Sequence, residues 1–531
     1  MEQNNNLQQR LLLALVLSFI VFVVFDMFMP KPVKTNDHNK TTTTEQQTPN
    51  IVNNSTPSTS SSAPIQQPSS SSLAPVTTVK ALTTVKSDTF MYTIDELGRI
   101  AQVKLLEKKY EYEDKKLELL NPLWIKPLEI RFADANLNKE ALKTIYTTSA
   151  STVDLNGGSS KVVLTQKLST TTVTKELTFY KDGHYDIKIN LSNPAQYFIT
   201  TGQRPNADHT MYMVVQGSLI KRTNGTIEVL EDGDVEEKVE VQSAQFASAF
   251  DRYFASILYN FDKPLKVSTL IIGDEDALVF VQGEQNFNLH GYLGPKESAV
   301  LKNINPQLTD SIEYGLFTFI SKPLFKVLEW FHGVVGNWGW AIVLVTLLIK
   351  LILFPLSYKG MMSMQRLKEL APQMKELKEK YGKDPQKMNL KMMEMYKKHG
   401  ANPMGGCLPM ILQIPIFFAI YRVLLNAVEL QGAEWTLWIT NLSQMDPFFV
   451  LPVLMGASMW YQQKITPNTM TDPMQQKIFQ WLPVVMTVFF ITFPAGLVLY
   501  WLVNNLFTIA QQYVINKAFE KQKADKLAVK K

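Results

Sequence analysis

Lys350 is the residue whose place in the chain most needs a chemical reason. It sits inside the apolar run AIVLVTLLIKLILFPLS (341–357), nine residues after Ala341 and nine before Lys359. At about 1.5 Å of rise per helical residue, each end is roughly 13 Å away. A lysine at that depth in hydrocarbon costs at least about 2.5–3.5 kcal/mol, so it is expected to be functional and to face a water-filled cavity. Snorkelling of its stem to the surface is the alternative, and the distance works against it. Polar residues in other apolar runs offer company: Thr346 one turn earlier, Gln413, Asn504, Asn505, Gln511 and Gln512. Together they would line a wet groove within the membrane. Singly, each Asn or Gln serves equally as a helix–helix hydrogen bond. Pro409, Pro415 and Pro483 can bend helices around such a groove.

The chemistry that is missing narrows the function. No phosphate-cradling loop, nucleophile–base pair or relay of paired acids accompanies Lys350, so hydrolysis and pumping lack their parts. The only cysteine is Cys407, and the six histidines are scattered without metal-ligand spacing, so no metal site and no cofactor is expected. With 53 Lys plus Arg against 48 Asp plus Glu, the net charge of +5 argues against a nucleic-acid binder. A cationic, partly hydrated half-channel would lower the cost of bringing polar segments of another chain across the membrane. That points to a protein-insertion device and not an enzyme. The rivals are a solute transporter, which would more often show internal repeats, and a periplasmic scaffold held by membrane spans.

Elements must hold these residues in place, and the 531-residue chain changes texture several times. LLLALVLSFIVFVVF (11–25) follows Arg10, and bulky residues at 27–30 do not suit signal cleavage, so residues 1–30 read as an uncleaved anchor. Residues 31–86 are rich in Ser, Thr and Pro, lack aromatics and read as a flexible tether. Residues 87–311 alternate apolar and polar, with Asn156-Gly157, Asp182-Gly183, Asn224-Gly225 and Asp232-Gly233 between runs, which predicts an antiparallel all-β domain. Within it, SAQFASAFDRYFASILYN (243–260) reads as a helical or irregular insertion. Residues 312–340 read as an amphipathic helix in the membrane interface, followed by a bend at Gly333, Gly336 and Gly339.

Five further spans are expected, near 341–357, 406–425, 447–462, 481–493 and 495–513. The segment from Lys359 to Asn402 holds eleven Lys or Arg, and the loop from Asn426 to Asp446 holds none. Basic loops alternate throughout with uncharged or acidic ones, which places both termini in the cytoplasm and the β-domain outside. The basic loop 360–402 is itself a helical hairpin: Leu367, Leu370, Met374 and Leu377 form a seam, YGKDP (381–385) breaks it, and Met388, Met392 and Met395 resume. Residues 514–531 form a basic tail.

The runs NPMGGCLPMILQIPIFFAIYRVL (402–424), LSQMDPFFVLPVLMGASMWYQQK (442–464), TDPMQQKIF (471–479) and FPAGLVLYWLVNN (493–505) resemble the YidC membrane protein insertase family. The resemblance covers essentially the whole chain, in the Gram-negative form with a large periplasmic domain. It implies a polytopic α-helical membrane protein of six spans, with a five-span insertase core (341–513) and a periplasmic all-β supersandwich. It implies an inner-membrane insertase and chaperone that works without ATP hydrolysis, alone or with the Sec translocon. Its expected partners are nascent membrane proteins, the ribosome and signal-recognition targeting pathway, and the lipid bilayer. The family's groove cation, usually arginine, falls on Lys350, which keeps the charge and loses the planar fork. Thr346 matches the family's threonine, and Tyr500-Trp501 matches a pair that is often Tyr-Tyr. With Gln413, Asn504 and Asn505 these would form the groove. The implied substrate slide runs along Ile411, Ile414, Phe417 and Phe418 and along Val484, Val488 and Phe489. The hairpin, with Arg366, Lys375, Lys378, Lys391 and Lys397, is the implied recruitment element.

Overall fold

The computed structural model describes residues 80–529, apart from 112–113, 209–213, 274, 383, 400–407 and 467–472. The anchor at 1–30, Cys407 and most of the tether therefore lie outside the described residues.

The β-domain is a sandwich of two sheets. The smaller has four strands in the order Ile100–Leu105, Phe90–Asp95, Ala81–Lys86 and Thr152–Asp154. Ala81–Lys86 lies in the segment read as tether; Val85 inside it is fully buried, so the ordered domain starts six residues early. In the larger sheet Ser159–Lys167, Thr172–Tyr180 and His184–Leu191 form an antiparallel meander. It continues through Asn286–Pro295 and Phe254–Tyr259. Three of the four expected turn glycines, Gly183 (φ 86°), Gly225 (φ 87°) and Gly233 (φ 79°), take a positive-φ backbone; at Asn156-Gly157 it is the next residue, Gly158 (φ 104°), that does. Short helices α1 (Ala135–Ala141) and α2 (Ser298–Ile304) flank the sheets.

Residues 243–260 are not an insertion. They belong to two paired strands, Glu240–Phe250 and Phe254–Tyr259, at the heart of the large sheet. From Ala247 to Phe250 and from Phe254 to Tyr259 every residue is buried. A strand covered on both faces shows no alternation, so the pattern that reveals a half-exposed strand is missing.

Eight helices follow among the described residues. They are α3 (Thr318–Val335), α4 (Trp338–Ile352), α5 (Phe354–Tyr381), α6 (Pro385–His399), α7 (Leu408–Asn426), α8 (Val450–Ile465), α9 (Pro473–Phe490) and α10 (Ala495–Val529). Helix α3 buries Ser321, Phe325 and Leu328 against its neighbours and leaves Phe319, Trp330 and Val334 open on the opposite side. It is apolar on two sides, not one. The bend after it is made by Gly336 alone (φ 67°); Gly333 is inside the helix and Gly339 inside α4. Gly339 is small for another reason: a Cβ there would meet the Trp435 ring at 2.1 Å.

No single described helix is both long and apolar enough to cross a membrane. Helices α4 and α5 pass that test together, bent by 63°. The bend falls where Pro355 opens α5 without a backbone donor. Helices α5 and α6 form the hairpin, with Leu367, Leu370 and Met395 buried between them. Its turn is set by Asp384, whose carboxylate accepts the Lys387 amide ahead of Pro385. Helix α10 runs unbroken through the expected last span and tail, and Lys523 pairs with Glu369 of α5 at 2.6 Å.

The β-domain is joined to the helices by a shared core. Phe246, Phe250 and Ile257 pack in one cluster with Leu301, Leu308, Phe325, Val423 and Leu424. Buried Arg252 donates Nε to the Leu425 carbonyl near the end of α7 at 2.6 Å. Asn426 donates to the Glu313 carbonyl at 3.0 Å, and Glu429 accepts the Ser298 amide at 2.8 Å. Burial pushes the Glu429 carboxyl up to about 7, with Glu297 and Glu329 adding repulsion. A carboxyl raised from about 4.5 holds a proton in the folded state that the unfolded chain releases. Its contribution to stability therefore falls as pH rises from about 4.5 through about 7. Glu429→Gln keeps the acceptor for Ser298 and cannot ionise. Thermal melts in detergent between pH 5 and 8 should show a shallower loss of stability with rising pH in that variant than in the parent.

Candidate functional site

Helices α4, α7 and α10 bring polar residues of the apolar runs together. Lys350, near the end of α4, is 7% exposed, and its Nζ donates to Thr508 Oγ1 on α10 at 2.9 Å. Thr508 Oγ1 donates in turn to the Asn504 carbonyl at 2.7 Å. The Asn504 side chain accepts from Gln413 Nε2 on α7 at 3.0 Å. One continuous chain of hydrogen bonds thus links three helices. Among the described residues Lys350 has no carboxylate partner; a hydroxyl receives its ammonium. Gln511 adds a bond to the Lys350 carbonyl at 3.3 Å. A second tier lies farther along α10: Gln512 donates to Asn516 at 2.6 Å, and Gln365 of α5 reaches the same Asn516 oxygen.

Not every expected groove residue joins this chain. Buried Thr346 donates its hydroxyl to the Ile342 carbonyl of its own helix at 2.7 Å. Asn505 turns to α8 and meets Ser458 at 3.3 Å, a helix–helix contact away from Lys350. Tyr500 is buried in the helical core. Trp501 is wedged between the two expected slide helices, with ring centroids 4.7 Å from Phe417 of α7 and 4.9 Å from Phe490 of α9. Thr508 and Asn516 escaped the sequence reading. Their signal was available: Asn504, Thr508, Gln512 and Asn516 recur every four residues and so share one face of α10.

The slide residues divide. Ile414, Val484 and Val488 are exposed, Val488 by 64%, and present apolar side chains outward. Phe417, Phe418 and Phe489 are half-buried in ring contacts, Phe418 against Phe317 and Phe489 against Phe490 and Phe493. The side chain of Ile411 lies outside the described residues. On the hairpin, Lys375 and Lys397 are exposed and Lys391 pairs with Glu394 at 2.7 Å. Arg366 is held on α5, and the Lys378 side chain is outside the described residues. Met374 and Met395 fill the hairpin seam, where the Tyr396 hydroxyl meets the Met374 sulfur at 3.6 Å.

This arrangement holds one buried cation on α4, tied by a hydrogen bond to α10. Comparison with known proteins gives the same architecture a lineage. The model of the YidC periplasmic domain matches residues 82–327, and that of the 60Kd inner membrane protein matches 330–523. The membrane protein insertase YidC of Campylobacter jejuni is 49% identical over 98% of this chain and 98% of its own. The chain belongs to the YidC insertase family. The Helicobacter pylori YidC is 48% identical, again over 98% of both chains. A crystal structure of an active YidC insertase with its first transmembrane domain resolved matches at TM-score 0.37 and 19% identity, covering 83% of this chain and 95% of that one. The boundary between the two matched regions, at 327–330, falls inside α3, which packs on α4 and α7.

Thr508 and Thr346 should behave differently when replaced by valine. Thr508→Val strands a buried ammonium and should cost about 1–3 kcal/mol. Thr346→Val removes a hydroxyl whose acceptor keeps its helical partner, and should cost less than about 1 kcal/mol. Paired thermal melts of the two variants in detergent measure the difference.

Proposed function

We propose that this YidC-family chain inserts and helps fold membrane proteins at the inner membrane, drawing the polar end of an incoming segment toward Lys350 without ATP hydrolysis. The observation that carries the reading is a buried ammonium with a hydroxyl, not a carboxylate, as its partner. A cation in a low-dielectric setting with its charge uncompensated attracts acidic groups strongly. An acidic or polar segment entering from the cytoplasm gains from that charge at the depth where its own burial cost is greatest. The apolar part of the substrate would leave along α7 and α9, where Ile414, Val484 and Val488 face outward beside the Trp501 wedge. Thr508, Asn504 and Gln413 position the ammonium and offer hydrogen bonds to a substrate backbone in transit.

In this reading α4 with the start of α5, α7, α8, α9 and the first half of α10 cross the bilayer as five spans, and an anchor near 11–29 is the sixth. Both termini and the α5–α6 hairpin are cytoplasmic; the β-domain is periplasmic. The hairpin receives ribosomes and the targeting machinery, and larger substrates arrive with the Sec translocon.

The test uses purified protein in liposomes with a small single-span substrate carrying an acidic translocated end. Protease protection should require the protein and no nucleotide. Lys350→Glu should lower the protected fraction at least about tenfold, equivalent to some 1.4 kcal/mol, and Lys350→Arg should retain it. Equal activity of the two variants would remove the charge from the mechanism. Flux of a small solute, with no protection, would favour a transporter.

A further inference from the structure

The loop between α7 and α8 has an unusual composition. From Asn426 to Phe449 it contains no Lys or Arg, and its charges are Glu429, Glu434 and Asp446. Single exposed apolar residues are ordinary on a protein surface, but here they gather. Leu437 is 82% exposed and Phe448 68%, and Met445 and Phe449 of the same loop are exposed as well.

Their exposure is built into the backbone. Leu437 (φ 55°) and Phe449 (φ 57°) are two of the five described non-glycine residues with positive φ. That conformation is costly for a side chain of this size and persists only where surrounding contacts impose it. The contacts are present. Asp446 is 1% exposed, and its carboxylate accepts the Trp438 indole N–H at 3.0 Å, the Phe448 amide at 3.0 Å and the Leu451 amide at 2.7 Å. The Ala495 amide donates to the Gln444 carbonyl at 2.7 Å, and the Gly496 amide to the Leu442 carbonyl at 2.9 Å. The loop is thereby clamped to the turn between α9 and α10 and cannot fold its apolar side chains inward.

What lies around the loop says what covers it. Its apolar surface continues onto α8, where Val453 and Leu454 are exposed one turn after Phe449. It also continues to the start of α4, where Trp340 meets Trp435 with ring centroids 5.7 Å apart. Tryptophans beside an apolar belt mark the level of lipid headgroups. With no cation in the segment, recognition of phosphate has no means; apolar contact is what the surface offers.

We propose that residues 435–449 form a rigid wedge seated in the outer leaflet at the boundary between headgroups and acyl chains, with Leu437, Met445, Phe448 and Phe449 in contact with lipid. The choice of leaflet rests on the periplasmic placement of this loop proposed above; the lipid contact does not. Because the contact is apolar, zwitterionic lipid suffices.

The experiment uses the full chain with Cys407→Ser, carrying Leu437→Cys, Phe448→Cys or, as a polar control, Glu434→Cys, each labelled with a nitroxide. The proteins are reconstituted in phosphatidylcholine vesicles and in vesicles with added phosphatidylglycerol. Labels at 437 and 448 should collide severalfold more with oxygen than with a water-soluble nickel chelate, and the label at 434 should show the reverse. The preference should be the same in both lipids and at high salt. Nickel preference at 437 and 448 would place them in water, and shielding from both reagents would place them against protein; either result overturns the wedge. Oxygen preference confined to the anionic vesicles would overturn its apolar basis. Sidedness is read separately, from labelling of Glu434→Cys by an impermeant maleimide on intact spheroplasts. Failure there overturns the choice of leaflet and the topology, while the depth result judges the wedge itself.

Discussion

A lysine ammonium enclosed by helices must find an acceptor, and the helices must be arranged to supply one. Lys350 finds Thr508, and that bond ties α10 to α4. Because Thr508 also bonds the Asn504 carbonyl, and Asn504 bonds Gln413, the same constraint positions α7. The bond to Thr508 gives the ammonium one acceptor, and among the described residues it has no carboxylate counter-ion.

The rest of the helical half makes this possible. Helix α8 braces α10 from the other side through Asn505 and Ser458. The aromatic cluster of Phe417, Trp501 and Phe490 fills the space between α7 and α9 and covers one flank of α10. On the β-domain side, Arg252, Glu313 and Glu429 fasten strands, the approach to α3 and the end of α7 into one joint. A displacement of α7 therefore strains a joint with the β-domain as well as the hydrogen bond from Gln413. The β-domain shares buried contacts with the helices, although its own residues lie apart from the polar chain.

The residues that were legible in the sequence share a property. Lys350 stood out because charge in an apolar run is expensive wherever the run is placed. The hairpin was legible because Leu367, Leu370 and Met374 carry a local period and YGKDP a local stop. The hairpin turns at Gly183 and Gly225 were legible because the backbone they require is specific to that pair of positions. What failed was equally physical. Residues 246–250 and 254–259 are buried on both faces and so lack the alternation that would mark them as strand. Asn505 and Thr346 are polar residues in apolar helices like Asn504, and nothing in the sequence says which way each one points.

By itself, then, the sequence determined the kinds of element and their order: a β-domain, a set of apolar helices, a basic hairpin and a cation within an apolar run. These follow from composition and period, which act locally along the chain. Only the tertiary structure decided which polar groups meet. Thr508 became the partner of Lys350, Asn504 joined Gln413, and Thr346 bonded its own helix. The reason is that a side chain's partner depends on the rotation and offset of two helices packed at a distance in sequence: 158 residues separate Lys350 from Thr508. Those quantities are set by the sum of many apolar contacts, and no single stretch of sequence contains them.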